Sequence, residues 1–470
     1  MGTISSAFSI MSQALQADQA ALNVVANNVA NASTPGYTAE TPNWQENQPI
    51  VINGVSYGTG ATESGATSIR DHVLLERLNQ QQQLASASGS RLAALNTVQA
   101  LFTPDSGSTS SQAGDIGSGI TSFFSSFSSI EANPTNSSLR QQVLSSATTL
   151  AGDLSNAAAS LNSQRSALDQ DAAGVTSQVN ALTSSIAALN QQIQSTSPGA
   201  DAGTLEDQRQ QDLSQLSKLI GINQISTENN GLSITTTSGQ LLVSEGSNFQ
   251  LATGMVGGVS HFFVGTLDVT SQLASGGGQL GGYLTARDED IPSVLNSLDQ
   301  LAYSISTQVN TLNNAGTDMA GDNGNAGNIF SAPAQVAGAA LSISVVMTDP
   351  NHIAAAGLGQ GTGDNSNATA MASLAKQLIV NGQSPSNYYS KFVTTLGSTV
   401  SGVETENTAQ TASVTQLQTQ NDSLSAVNLN NEASSLTTLE RTYQAASQVF
   451  AMLNTIMASV LNMGEQTTVS

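Results

Sequence analysis

The chain has 470 residues, with 33 acidic side chains against 11 basic ones and a formal net charge of −22. A surface of that sign repels phosphate, which excludes most roles on nucleic acids or anionic membranes, while the length allows two to four domains that each bury a core. Only 9% of residues are charged and 4% aromatic, and cysteine is absent, so disulfides, thiolate metal ligands and thiol nucleophiles are excluded and stability rests on packing.

The segment Met1 to Ser6 places no Lys or Arg before its apolar positions and does not read as a secretory signal peptide, although Gly2 with Ser6 fits the short myristoylation pattern. Apolar residues then fall at Ile4, Phe8, Met11, Leu15, Leu22, Val25 and Val29. The alternating steps of four and three predict a helix with a narrow heptad seam, interrupted once by Asp18. Thr34-Pro35-Gly36-Tyr37 suits a type II turn that stops this helix and redirects the chain.

Heptad-like spacing returns at Leu74, Leu78, Ala85, Leu92, Leu95 and Phe102, and again from Leu154 to Ile193. The second series predicts a helix of about 40 residues or more, roughly 60 Å long, ended by Pro198-Gly199. A further helix runs from Leu205 to Ile220. From Ile222 to about Leu280 the pattern changes to short alternating runs separated by Gly, Ser and Asn, which predicts a small β insertion. Gly276 to Gly282 reads as a hinge, and Asp288, Glu289 and Asp290 as acidic residues favouring the positive end of the following helix.

That helix carries Ile291, Val294, Leu298, Leu301, Ile305, Val309 and Leu312, with Pro292 in its first turn. After a Gly/Asn/Asp loop from Asn313 to Asn328 comes a β-like stretch at Leu341 to Met347. Helices follow at Ala368 to Val380 and Tyr388 to Leu424, the second with polar seam residues Asn407, Gln410 and Asn421 that fix register. The last series is Leu429, Leu436, Leu439, Tyr443, Ala446, Phe450, Leu453, Met457 and Val460, with Glu432 as its charged exception.

Two narrow stripes at opposite ends of one chain most simply bury each other, each large side chain contributing roughly 1.5 to 3 kcal/mol when fully covered. The termini are therefore expected to be neighbours. Their outer faces lack the Glu and Lys of a solvated helix. Asp18 is the sole charge from Met1 to Ala39, and Glu440 and Arg441 the only ones from Ala433 to Gly464. These neutral backs are expected to pack against other copies or related subunits rather than water. Their Ser, Asn and Thr content also predicts disordered ends in the free monomer.

The expected fold is mainly α with a β-rich insertion. Residues 1–40 with 428–470 form a terminal coiled-coil assembly domain, 41–221 with 281–427 an α-rich rod domain, and 222–280 the inserted β domain. No catalytic, cofactor or metal site is expected. His72, His261 and His352 are far apart with no carboxylate at ligand spacing. Asp318, Asp322, Asn323, Gly324 and Asn325 lack the spacing and closing Glu of a calcium loop and read as a turn. Ser373 and Lys376 fit a Ser-x-x-Lys motif without the accompanying Lys-Thr-Gly. No apolar run approaches the roughly 18 residues of a membrane span.

Asn27-Asn28-Val29-Ala30-Asn31, followed by Thr34, Gly36 and Tyr37, resembles the amino-terminal signature of flagellar rod, hook and hook-associated proteins. Interior stretches narrow the resemblance to the hook-associated members. They include Ser185 to Ile193 with Leu205-Glu206-Asp207-Gln208-Arg209, Gly281 to Leu284 with Arg287-Asp288, Leu301-Ala302-Tyr303 leading to Val309-Asn310, and Asp349-Pro350 with Ile353 to Ala356 and Gly363 to Asn365. The closing helix, from Val427-Asn428-Leu429 through Glu432, Leu436, Tyr443 and Gln444 to Ala446, is similar too.

The resemblance implies a non-enzymatic, extracellular adaptor ring of identical subunits at the hook tip, joining the hook protein below to a second junction protein and the filament above. It also implies type III export without a cleavable signal, escorted by a chaperone on the carboxy-terminal helix. The assembly interface would then comprise the two seams together with Asn27, Asn28, Asn31, Gly36 and Tyr37. A flagellin-like filament subunit is the nearest alternative, and a secreted hydrolase using Ser373 and Lys376 the alternative from another class.

Overall fold

The computed structural model describes residues 2–52, 54–103, 115–197 and 201–466, so the expected stop at Pro198-Gly199 lies outside the described residues. The protein is mostly helical with small antiparallel sheets. Helix α1 (Gly2–Asn31) leads into four short strands, β1 (Glu40–Glu46), β2 (Ile50–Ile52), β3 (Val55–Tyr57) and β4 (Ala61–Ser68). β1 pairs with β4 and β2 with β3, giving a long kinked hairpin whose register shifts between Pro42 and Trp44. No periodic pattern announces it, because Thr, Ser and Gly recur there among few apolar residues.

The helical body follows. It comprises α2 (His72–Ala100), α3 (Ile116–Ala132), α4 (Ser137–Thr196) and α5 (Thr204–Leu219). Capping side chains start two of these helices: Asp71 accepts from the amides of Val73 and Leu74, and Asn136 from those of Ser138 and Leu139. α3 carries no heptad, but Phe123, Phe124 and Phe127 are buried on a serine-rich helix, where Phe123 meets both neighbours and Phe330. At 60 residues, α4 is about 90 Å long.

The buried stripe of α4 runs from Val143 to Ile193 and passes through both hydrophobic cores. In the first, its opening half meets α3 and α8 (Ile291–Ala315). In the second, Val175, Val179 and Ile186 meet Leu213 and Leu216 of α5 and the inserted sheets.

The insertion holds β5 (Ile222–Ser226), β6 (Leu232–Thr236), β7 (Leu241–Ser244) and β8 (Ser247–Asn248) in one sheet of that order. β9 (Leu251–Val256), β10 (Val259–Val264) and β11 (Leu267–Asp268) form another. The strands end at Asp268 rather than near Leu280. Leu273 of α6 (Thr270–Gly276) and Leu280 and Leu284 of α7 (Gly278–Thr285) complete the core instead.

The glycines between them are not a loose hinge. A Cβ on Gly282 would stand 2.0 Å from Ser90 Oγ and 2.2 Å from the Ala87 carbonyl, so bare backbone lets α7 lie directly on α2. Gly282→Ala is expected to cost at least the roughly 1–3 kcal/mol of ordinary overpacking, read as a lower melting temperature of the helical body.

A π-helical turn, Ala286–Asp290, joins α7 to α8. Here the dipole reading of the acidic triplet needs correction. Asp290 takes Arg91 through two 2.8 Å bonds, and Asp288 takes Arg287. Beyond α8, the stretch expected to be β-like is a short helix, α9 (Ala339–Ser342), followed by a single bridge between Val345 and Phe330. The helix expected to Val380 is α10 (Ser366–Ser373), which ends seven residues sooner in turns. α11 (Pro385–Ser425) lies along α2, where Asn407 Nδ2 donates to the Ala85 carbonyl at 3.0 Å and Gln410 meets Gln81. The chain closes with α12 (Leu429–Gln466).

Candidate functional site

α1 and α12 lie side by side and antiparallel, extending from the helical body as an arm. Phe8 faces Phe450 with ring centroids 4.4 Å apart, the Asp18 carboxylate bonds Thr442, and Asn28 reaches Glu432 at 3.1 Å. Burial raises the Asp18 carboxyl above its ordinary range, against the Thr442 hydrogen bond. Along α12 the half-buried positions are Glu432, Leu439, Tyr443, Ala446, Ser447, Phe450, Leu453 and Met457. Leu436 and Val460, expected in the same stripe, are each 38% exposed.

The expected stripe on α1 needs a larger correction. Ile4, Phe8, Met11, Leu15 and Leu22 are half-buried, but the fully covered positions are Ala17, Ala21, Val25 and Asn28, while Val29 is 45% exposed. α1 is covered on two sides, by α12 and by the hairpin, and the ridge between those contacts carries alanines. Small residues on a ridge shared by two partners are invisible to an apolar count.

The signature residues meet where the arm joins the body. Asn28 is 1% exposed and its amide is fully used. Nδ2 donates to the Glu40 carbonyl at 2.8 Å and to Glu432, while Oδ1 accepts from the Glu40 amide at 3.0 Å and from the Tyr37 hydroxyl at 2.8 Å. Asn27 Nδ2 donates to that hydroxyl, and Asn31 Nδ2 donates back to Asn27. Gly36, at φ +80, makes the turn between them, closed by the Tyr37 amide on the Thr34 carbonyl. Burial, then the nearby carboxylates of Glu40, Asp207 and Glu432, push the Tyr37 hydroxyl up to about 12.

Asn28→Ala would leave both backbone groups of Glu40 without their partner, at roughly 1–3 kcal/mol per buried group. Faster amide exchange at Glu40 and easier proteolysis of the 32–47 segment are the expected readouts.

Below this hub, sequence reasoning missed a second cluster. Arg70, whose side chain is 4% exposed, contacts Glu206, bonds Asp207 at 2.7 Å and lies 3.9 Å from Asp201. Asp207 in turn accepts the amide and hydroxyl of Thr38, and Asp201 those of Ser68. One guanidinium therefore ties both chain segments leaving the arm to the start of α5. Burial pushes the Asp201 carboxyl up, but the amides of Gly203 and Ser68, the Ser68 hydroxyl and Arg70 together hold it below its ordinary value. Burial, then Asp201 and Asp207, hold Glu40 above its own. The resemblance had already singled out Glu206 and Asp207, and this cluster gives them a physical role.

Other stretches of the resemblance are likewise structural. Asn190 Nδ2 donates to the carbonyls of Leu232 and Glu245 while its oxygen accepts from Arg209, fixing the insertion to α4. Arg287, fully buried, holds Asp169, Asp288 and the Ser260 carbonyl. Ser373 donates to the Ala370 carbonyl in its own helix and accepts from Gln377. No helix among the described residues is long and apolar enough to cross a membrane.

Comparison with known proteins agrees with this architecture. Residues 106–330 match the family described as the flagellar hook-associated protein FlgK helical domain, and residues 10–38 match the flagella basal body rod proteins. These matches make the chain similar to the flagellar rod, hook and hook-associated class. Within that class its full-length similarity is to flagellar hook-associated protein 1. The protein of that name from Bacillus subtilis (strain 168) is 26% identical over 508 aligned residues, spanning 96% of each chain. That of Escherichia coli (strain K12) is 24% identical over 547, spanning 95% of this chain and 98% of its own. The flagellar hook junction protein FlgK from Burkholderia pseudomallei shares the fold, with a TM-score of 0.65 at 18% identity over 73% of this chain and 99% of that one.

Proposed function

We propose that this chain is a structural subunit joining hook to filament in the bacterial flagellum, and that the α1–α12 arm is the surface through which copies assemble. The carrying observation is the state of α12. None of its described side chains is fully buried, and Val449, Met452 and Ile456 are exposed on the side away from the Phe450 stripe. A helix with apolar residues on both sides and almost no charge is poorly suited to permanent contact with water. The pairing of the two ends is read as a short coiled coil whose remaining faces adjoining subunits cover, as a ring at the hook tip. The hook protein would lie below, a second hook-associated protein above, and an export chaperone would shield the last helix beforehand.

Electron microscopy of a deletion strain tests the reading. Hooks without attached filaments are expected, restored by the intact gene, and normal filaments on such cells would end it. A filament subunit, the alternative within the class, would instead polymerise into long fibres on its own. Because the ends are rich in the weak helix formers Ser, Asn and Thr, amide exchange in the free monomer should be fast from residue 4 to residue 29 and slow in α4.

A further inference from the structure

The fold brings together three side chains that the sequence keeps apart. Asp318 and Asp322 lie in the loop after α8, and His352 ends a short 3-10 turn, Pro350–His352, that follows Asp349. Their nearest ligand atoms all fall within 4.8 Å of one another. His352 Nδ1 stands 2.7 Å from Asp318 Oδ2 and 3.5 Å from Asp322 Oδ2. Atoms bound about 2.0–2.1 Å from a tetrahedral zinc ion stand roughly 3.3 Å apart, so these separations bracket those of a coordination sphere.

The surroundings favour an ion over a plain hydrogen bond. The Asp318 side chain is completely buried, whereas those of His352 and Asp322 are partly open, at 38% and 51% exposure. A buried carboxylate requires a positive partner. Among the described residues, the cationic side chain in ion-pair contact with Asp318 is the half-open His352; buried Arg140 lies near enough to feel the Asp318 charge but gives its hydrogen bonds to the carbonyls of Pro134 and Ile353. Asp318 is also held in place from behind, its Oδ1 accepting the Asp322 amide at 2.8 Å, as an outer contact orients a ligand.

We propose that Asp318, Asp322 and His352 form a binding site for one divalent transition-metal ion of the zinc type, with solvent in the remaining positions. Two carboxylates and one imidazole are a donor set that suits such ions. The ion takes the place between Nδ1 and Oδ2 now filled by a shared proton, which moves to the ring's Nε2 or, from a charged ring, to solvent. The site ties the 318–322 loop to the 349–352 turn, and through it to the buried Ile353 and Ala354. In a chain without cysteine, this is a cross-link between segments some thirty residues apart that forms only after folding.

The test is calorimetric titration of zinc chloride into the full chain after chelator treatment, with thermal melts in parallel. One equivalent should bind and raise the melting temperature. Asp322→Asn, at an exposed position that should leave folding intact, and His352→Ala should each weaken binding at least tenfold. His261→Ala should leave it unchanged, because among the described residues the His261–Asp268 pair has no third ligand in its group. Absence of saturable binding to the unaltered chain, or retention of binding in both Asp322→Asn and His352→Ala, overturns the site.

Discussion

Phe450→Asp should abolish filament attachment and motility while leaving the helical body folded. The ring packs on Phe8, so the change removes an aromatic pair worth about 0.5–1.5 kcal/mol beyond its burial. It also places a carboxylate in a surface that assembly would have to dehydrate, which costs several kcal/mol more in the polymer than in the monomer. Phe450→Leu, which keeps the apolar surface, should retain most motility. The melting temperature of the body should hold in both variants, since Phe450 belongs to neither buried core. Motile cells carrying Phe450→Asp would remove α12 from the assembly surface.

Arg70→Met should release the arm from the body. It leaves Asp201 and Asp207 beside Glu40 without the guanidinium that pairs them, and Glu206 with the more distant Arg209 alone, and breaking such a buried set by removing one partner costs about 3–5 kcal/mol. The pH dependence gives the prediction its sign. Stability conferred through Asp201, whose folded value is depressed, is fully present above its ordinary 3.8 and lost as pH falls below it. Stability conferred through Glu40, whose folded value is raised, is fully present below 4.5 and lost as pH climbs through that raised value. Arg70 lowers both Asp201 and Glu40, so without it those two carboxyls shift upward and the deficit of the variant should shrink on mild acidification. Melting curves of both chains across that range, with interdomain distance followed by spin labels, provide the check.

How much was legible beforehand follows from what each segment is made of. The α12 stripe was readable because large apolar residues recur on one side of a helix with a single main partner, and Leu439, Tyr443, Phe450, Leu453 and Met457 indeed form its less exposed face. The α1 stripe was misjudged by about one position at its end, where Asn28 rather than Val29 is covered. Its second partner, the hairpin, has no apolar alternation to announce it. Arg70 could not be matched to Glu206 and Asp207 from spacing, since more than 130 residues separate them. The loop acids were set aside for lacking the spacing and closing Glu of a calcium loop, and His352 for having no carboxylate at ligand spacing, although the fold places it beside Asp318. Pattern reports which face of an element is dry, whereas ion pairs and ligand sets depend on which remote segments the fold brings together.

The single helix α4 runs unbroken through both hydrophobic cores, and that continuity has a mechanical meaning. Two bodies joined by a loop would swivel independently, and a twist applied at one end would dissipate in the joint. Here the helical body and the sheet-bearing tip share one shaft, gripped along its length by interlocking side chains like a splined axle. A load entering through the proposed arm interface would pass along this one shaft to the sheet-bearing end, which is what the proposed coupling between a rotating curved segment and a stiff propeller requires of each part in it.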